Sequence, residues 1–188
     1  LTDRVASVVA DNREASANIT RHFGACGYRR IAFIAGPPAL NISEERKQGY
    51  LEGLQKLGMP FREDYLKHCE MEPGSATEAT RRLLALPEPP DAIFGINDTV
   101  AFAAMKEIRR QGLRIPEDVG IVGFTDDYHA TVVHPTLSSV SHPTREMGRE
   151  AARLLFDSFD GKDPVQLSLQ TRLVARESST GPAPARDT

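Results

Sequence analysis

Apolar residues along the chain follow two alternating rhythms, short continuous runs and longer stretches with apolar positions three and four apart. Val5 to Ala10 is a short β-rich run that ends at Asp11-Asn12. Residues 13–25 read as a helix closed by Gly27. Arg30 to Ala35 is a second, buried strand ending at Gly36-Pro37-Pro38. Ser43 offers an N-cap to the helix that follows, with Arg46 in its first turn and Tyr50, Leu51, Leu54 and Leu57 on one face. Gly58 and Pro60 stop that helix. Residues 65–71 form a weaker strand, and Pro73 to Leu86 a helix broken by Pro87, Pro89 and Pro90. Ala92 to Ile96 is a third clear strand, ending at Asn97-Asp98, and Asp98 is a natural N-cap. Val100, Ala104, Met105 and Ile108 form the stripe of the next helix, and Gly112 ends it. Val119 to Phe124 is a fourth strand, ending at Thr125-Asp126-Asp127. Leu137 to Val140 leads into a helix over about 144–160 with Met147, Ala151, Leu154 and Leu155 inward, and residues 165–175 make a last strand.

Strands alternating with helices predict an α/β fold with a parallel sheet covered on both faces, joined by right-handed crossovers. In such sheets ligands bind beyond the carboxyl ends of the strands. Four predicted strand ends carry polar or tight-turn residues, at Asp11-Asn12, Gly36-Pro37, Asn97-Asp98 and Thr125-Asp126-Asp127, and Arg46 hangs over the same edge. Taken singly, each of these acids and amides can be explained as a helix or turn cap. Their convergence points instead to a hydrogen-bonding set for a polyhydroxylated or amide-bearing small molecule. Arginine donates in a rigid fork, aspartate accepts, and asparagine does both.

Composition narrows the field. Among 188 residues, 23 Lys and Arg face 26 Asp and Glu, a net charge of −3. That balance argues against a domain that coats nucleic acid. No apolar run approaches the roughly 18 residues of a membrane span. The start, Leu1-Thr2-Asp3-Arg4, lacks the form of a signal peptide, which alone excludes little; two unpaired cysteines fit the reduced thiols expected of a cytoplasmic protein. Two distant cysteines, Cys26 and Cys69, make neither a disulfide framework nor a zinc ribbon. The sequence holds no G-x-S-x-G and no HExxH, and Gly161-Lys162 is followed by Asp163, so it is no phosphate loop. His129, His134 and His142 match no metal-ligand spacing. Neither a metal nor a cofactor is expected, and no nucleophile–base pair suggests an enzyme.

The order of motifs resembles the effector-binding domain of the Lac/Gal repressor family of bacterial transcription regulators. The matching stretches include Val8-Val9-Ala10-Asp11-Asn12, Gly27-Tyr28-Arg29-Arg30-Ile31-Ala32-Phe33-Ile34-Ala35-Gly36-Pro37 and Ser43-Glu44-Glu45-Arg46-Lys47-Gln48-Gly49-Tyr50. Pro90-Asp91-Ala92-Ile93-Phe94 leads into Asn97-Asp98, and Gly112-Leu113-Arg114-Ile115-Pro116 leads through Val119 into Gly123-Phe124. Pro135-Thr136-Leu137-Ser138-Ser139-Val140, Glu146-Met147-Gly148 and Leu173-Val174-Ala175-Arg176-Glu177-Ser178 complete the series. The resemblance implies a periplasmic-binding-protein-like fold of two α/β subdomains around a cleft. It implies that the helix-turn-helix, hinge helix and most of the N-terminal subdomain lie upstream of Leu1. Residues 1–28 and 142–167 would then be a remnant of the N-terminal subdomain, residues 29–141 and 168–178 the C-terminal subdomain, and 179–188 a disordered tail.

The resemblance also implies site residues. Arg46 stands at the family's effector-binding arginine, and Asn97 at the strand-end asparagine that contacts sugar hydroxyls. Thr125 occupies the position of a frequent effector-binding aspartate, with Asp126 next to it as a carboxylate able to reach in. Met71 falls where an aromatic ring often stacks on the ligand, His142 where glutamine is common, and Asp11 belongs to the cleft rim. The implied partners are a small-molecule effector, a second copy of the chain, and operator DNA contacted only through the upstream domain. A periplasmic solute-binding protein of a sugar transporter is the alternative with the same architecture.

Overall fold

A computed structural model describes residues 5–181. The elements run β1 (Ser7–Ala10), α1 (Asn12–Ala25), β2 (Ile31–Ala35), α2 (Asn41–Lys56), β3 (Leu66–His68), α3 (Pro73–Leu84) and β4 (Ala92–Gly95). They continue as α4 (Asp98–Arg110), β5 (Gly120–Val122), β6 (Ser139–Ser141), α5 (Thr144–Phe159), β7 (Gln166–Leu169) and β8 (Arg172–Val174). The order is the predicted one, and the main sheet is parallel, β3-β2-β4-β5. Isolated parallel bridges from Val122 to Ser138 and from Thr125 to Ser141 bring β6 alongside β5.

All five residues of β2 are buried, as the unbroken run Ile31-Ala32-Phe33-Ile34-Ala35 requires of a strand covered on both faces. Phe33 stacks on Phe94 of β4 with ring centroids 4.4 Å apart. Tyr50 of α2 packs against Phe33 and donates to the Ile31 carbonyl at 2.8 Å, so its hydroxyl is buried without a hydrogen-bond deficit. Gly49 and Gly53 let α2 lie directly against α1. A Cβ at Gly49 would fall 2.0 Å from the Arg13 carbonyl oxygen, and one at Gly53 2.4 Å from Thr20 Cβ. Glu107 of α4, 1% exposed at its side chain, accepts from Arg110, Gln111 and Arg81, and the last of these pins α3 to α4.

Five expectations shift. α2 begins at Asn41 with Leu40 in the cap position, so Ser43 is an interior first-turn residue rather than the N-cap. Asn97, not Asp98, caps α4, because its side chain reaches the Val100 amide. The single strand expected over 165–175 divides at Gln170-Thr171. Its first half, β7, pairs parallel with β1, and its second half, β8, pairs antiparallel with β6. Helix α5 buries only Leu154, while Ala151 and Leu155 are exposed along with Phe156 and Phe159. Finally, α1 packs on α2 and contributes Ile19 and Phe23 to the main core, so the larger body takes in residues 12–28 as well. Residues 1–4 and 182–188 lie outside the described residues; Ser179, expected in the tail, is buried.

Candidate functional site

The carboxyl ends of β1, β4 and β5 meet around one side chain. Arg46, on the second turn of α2, is 3% exposed. Its Nε and Nη2 donate to Asn12 Oδ1 at 3.1 and 2.9 Å, and its Nη1 donates to the carbonyl of Ile96, just past β4. The guanidinium carbon lies 3.4 Å from the centroid of the Phe124 ring, just past β5. Asn12 is oriented in turn. Its amide donates to Glu45 Oε2 at 2.8 Å and to the Ala10 carbonyl at 3.3 Å, which leaves Oδ1 turned to the arginine. Burial pushes the guanidinium down to about 9, opposed by Glu45 and Asp98, and it stays charged at neutral pH.

Asn97 follows directly on the carbonyl that Arg46 holds. Its Oδ1 caps α4 by accepting from the Val100 amide at 2.9 Å, while no protein acceptor among the described residues takes its Nδ2 hydrogens. With Asp98, Thr125 and Asp127 it lines a cavity of about 440 Å³. Asp98 is the residue that sequence reasoning underrated. Its carboxyl is 2% exposed, accepts from Ser139 Oγ at 2.5 Å and from the Asp127 amide at 2.7 Å, and is held above the ordinary carboxylate range by burial. The dipeptide Asn97-Asp98 at a strand end was the available signal; reading Asp98 as the cap hid it.

Beyond β5 the chain takes two positive φ values in succession, Thr125 at 141° and Asp126 at 58°. Such a conformation in non-glycine residues is held by its surroundings. Here the Thr125 amide donates to the Val140 carbonyl at 2.9 Å and the Asp126 amide to Ser139 Oγ at 3.0 Å. Thr125 is exposed at the cavity wall. The structure does not bring Asp126 to the arginine: its Oδ1 accepts from Arg176 Nη2 at 2.7 Å, in an ion pair shielded from solvent. Arg176 also donates to the Leu137 carbonyl, so the Asp126 carboxylate ties the segment after β8 to the loop after β5.

His142 is half-buried, with its ring 5.2 Å from that of Phe124, so it and Arg46 share one aromatic neighbour. Burial and then the Arg46 charge push its pKa down, with Asp11 opposing, and it is neutral at pH 7. Asp11 accepts from the Thr171 amide at 2.8 Å and so fastens the turn between β7 and β8. Met71 has φ 58° and places its sulfur beside Gly36 at the end of β2. The structure thus gathers Arg46 and Asn97 at one strand-end edge, with Thr125 in the adjoining cavity wall, His142 on the shared Phe124 ring, and Met71 beside Gly36. Both cysteine thiols are pushed up by burial, which leaves neither poised as a nucleophile. No cluster of three or more His, Cys, Asp or Glu that could hold a metal occurs among the described residues.

The model of the periplasmic binding protein-like domain family matches residues 20–179. The chain belongs to that family. The HTH-type transcriptional regulator CelR of Thermobifida fusca is 39% identical over 178 residues, 94% of this chain and 52% of CelR. The HTH-type transcriptional repressor CytR of Escherichia coli (strain K12) is 33% identical over 156 residues, 83% of this chain and 46% of CytR. Among solved structures, a transcriptional regulator CelR–cellobiose complex superposes with a TM-score of 0.89 at 39% identity, covering 95% of this chain and 55% of that one. A LacI family transcriptional regulator from Mycobacterium smegmatis gives a TM-score of 0.89 at 29% identity, covering 97% and 68%. The chain spans about half the length of the curated relatives it matches. Those relatives are LacI-type regulators, and the fold is that of their effector-binding domain. This favours the regulator over the solute-binding protein of a transporter. No helix among the described residues is long and apolar enough to cross a membrane.

Proposed function

We propose that this chain is the effector-binding part of a LacI-type transcription regulator, and that it grips a sugar or related polar metabolite without transforming it. The observation that carries this reading is the Arg46 guanidinium. It is buried at the meeting of three strand ends, fixed by Asn12, Ile96 and Phe124, and adjacent to the open amide of Asn97. Two of its five N–H groups are left after the three hydrogen bonds named, and they suit hydroxyl or carbonyl oxygens of a guest. Thr125 offers a hydroxyl where a carboxylate is frequent, and Asp98 and Asp127 line the same cavity, so the site sets short donors and acceptors, two carboxyls among them, beside one cation.

The larger body, residues 29–141 and 170–178 together with α1, corresponds to the C-terminal effector subdomain. β1, α5 and β7 correspond to part of the N-terminal one. Cleft closure on the effector would shift the balance between two arrangements of a homodimer, and operator DNA would be met through a separate DNA-binding domain in the cytoplasm. An effector moves that balance only by its differential affinity for the two states. A thermal-shift screen of sugars, polyols and nucleosides tests the reading. At least one should raise the melting temperature of the chain, and the rise should vanish in Arg46→Met; stabilisation retained in that variant would put the site elsewhere.

A further inference from the structure

One polar atom in this region is left over. Ser43, one turn before Arg46 on α2, is 2% exposed, and its hydroxyl has no protein hydrogen-bond partner. Buried hydroxyls ordinarily have one. Ser16, the other such hydroxyl among the described residues, lies in the seam where Gly49 brings α2 against α1. Ser43 lies elsewhere. A Cβ built on Gly36 would stand 2.7 Å from Ser43 Oγ, 3.0 Å from Met71 Sδ and 3.1 Å from Ile96 Cδ1. The hydroxyl, the thioether and the residue after β4 therefore converge on the bare Cα of Gly36. That point is the carboxyl end of β2, and the same Ile96 offers its carbonyl to Arg46. Met71 occupies this point from a backbone at φ 58°, a conformation a methionine rarely takes. Its unbranched, three-rotor side chain can leave without any movement of that backbone.

We propose that Ser43 is a latent ligand contact sheathed by Met71. When a sugar seats at the strand ends, the Met71 side chain swings off Gly36, and Ser43 Oγ exchanges a hydrogen bond with one sugar hydroxyl beside Arg46. A neutral hydroxyl that both donates and accepts matches a polyol better than it matches a carboxylate or phosphate. The inference rests on the sugar-binding reading above and adds to it the residue that selects a particular hydroxyl.

Isothermal titration of the 188-residue chain with cellobiose, maltose, xylose, ribose and adenosine provides the probe and its Kd. Ser43→Ala should bind that probe about three- to tenfold more weakly, the loss of one neutral hydrogen bond. Without the probe it should melt at the same temperature or higher, because a buried hydroxyl lacking a partner has been removed. Of the monodeoxy forms of the probe, one should lose the same factor on the wild type and lose nothing further on Ser43→Ala. An unchanged Kd in Ser43→Ala overturns the inference and leaves the binding reading standing. So does a lowered melting temperature without the probe, which would mark a structural hydroxyl. Failure of every probe to bind the wild type overturns the reading and the inference together.

Discussion

Replacing Arg46 by methionine separates the cost of this residue from its use. A guanidinium held at about 9 instead of 12.5 corresponds to about 5 kcal/mol against its charged form, at about 1.36 kcal/mol per tenfold change in proton affinity. Methionine fills much of the same volume and carries no charge, so that cost disappears. Against it stand two acceptors, Asn12 Oδ1 and the Ile96 carbonyl, that lose their donors. Each unpaired acceptor costs roughly 1–3 kcal/mol, and the two together offset most of the gain. The net change in unfolding free energy should fall within about 2 kcal/mol of zero, much as apolar replacements of buried charges often do. For a chain of this size that is a displacement of a few degrees in melting temperature. Urea unfolding followed by circular dichroism measures it. Ligand-dependent stabilisation should be lost at the same time. A loss above about 4 kcal/mol would mean that the charge holds the fold together, and the argument that it is maintained for a guest would fail.

Three further outcomes follow from the same contacts. Asp126→Asn should lower stability by about 1–2 kcal/mol through loss of its shielded pair with Arg176, yet leave the Kd of any bound sugar within about twofold, since that carboxylate is engaged by Arg176 and not by Arg46; a large loss of affinity would restore it to the site. His142, neutral in the fold because burial holds its pKa below 6.5, contributes stability above that value that is lost as the pH falls through its folded pKa, since the unfolded chain takes up the proton first. Melting curves of His142→Gln should therefore fall less steeply on acidification below pH 6.5, with His22, also held low by burial, still responding; parallel curves for the two proteins would contradict this. On α5, Leu154→Ala should cost about 2 kcal/mol or more and Phe159→Ser less than about 0.5 kcal/mol in denaturant titrations, because one side chain is 5% exposed and the other 74%. Reversed magnitudes would mean that the helix packs on its other face.

The elements of the larger body were legible because their signals are local. β2 and β4 are unbroken apolar runs, Gly112 adopts the positive φ that ends α4, and Val100, Ala104, Met105 and Ile108 all point into the core. The ends of the chain were harder to read because their environment is not local. The apolar period of α5 correctly marks a helix, but only Leu154 finds a partner. Residues 165–175 carry one continuous strand-like pattern, and only the pairing partners divide it. Arg46 and Asn97 could be placed together from the rule that parallel strands present their carboxyl ends to one edge. The direction of the Asp126 side chain could not, because it depends on two consecutive positive φ values and on Arg176, fifty residues further along. The buried carboxyl of Asp98 and the unpartnered hydroxyl of Ser43 were concealed for a related reason. Both sit in sequence contexts that look like helix caps, and only the three-dimensional inventory of donors and acceptors shows what each one touches.

The most direct measurement is a titration of the isotope-labelled chain with cellobiose and the other probes, followed by nuclear magnetic resonance. A binding sugar should shift the Arg46 Nε–H and Asn97 side-chain amide signals most, together with backbone amides near residues 96–98 and 125. Shifts confined to α5 and the β1–β7 pair, or none at any sugar concentration, would contradict the assignment.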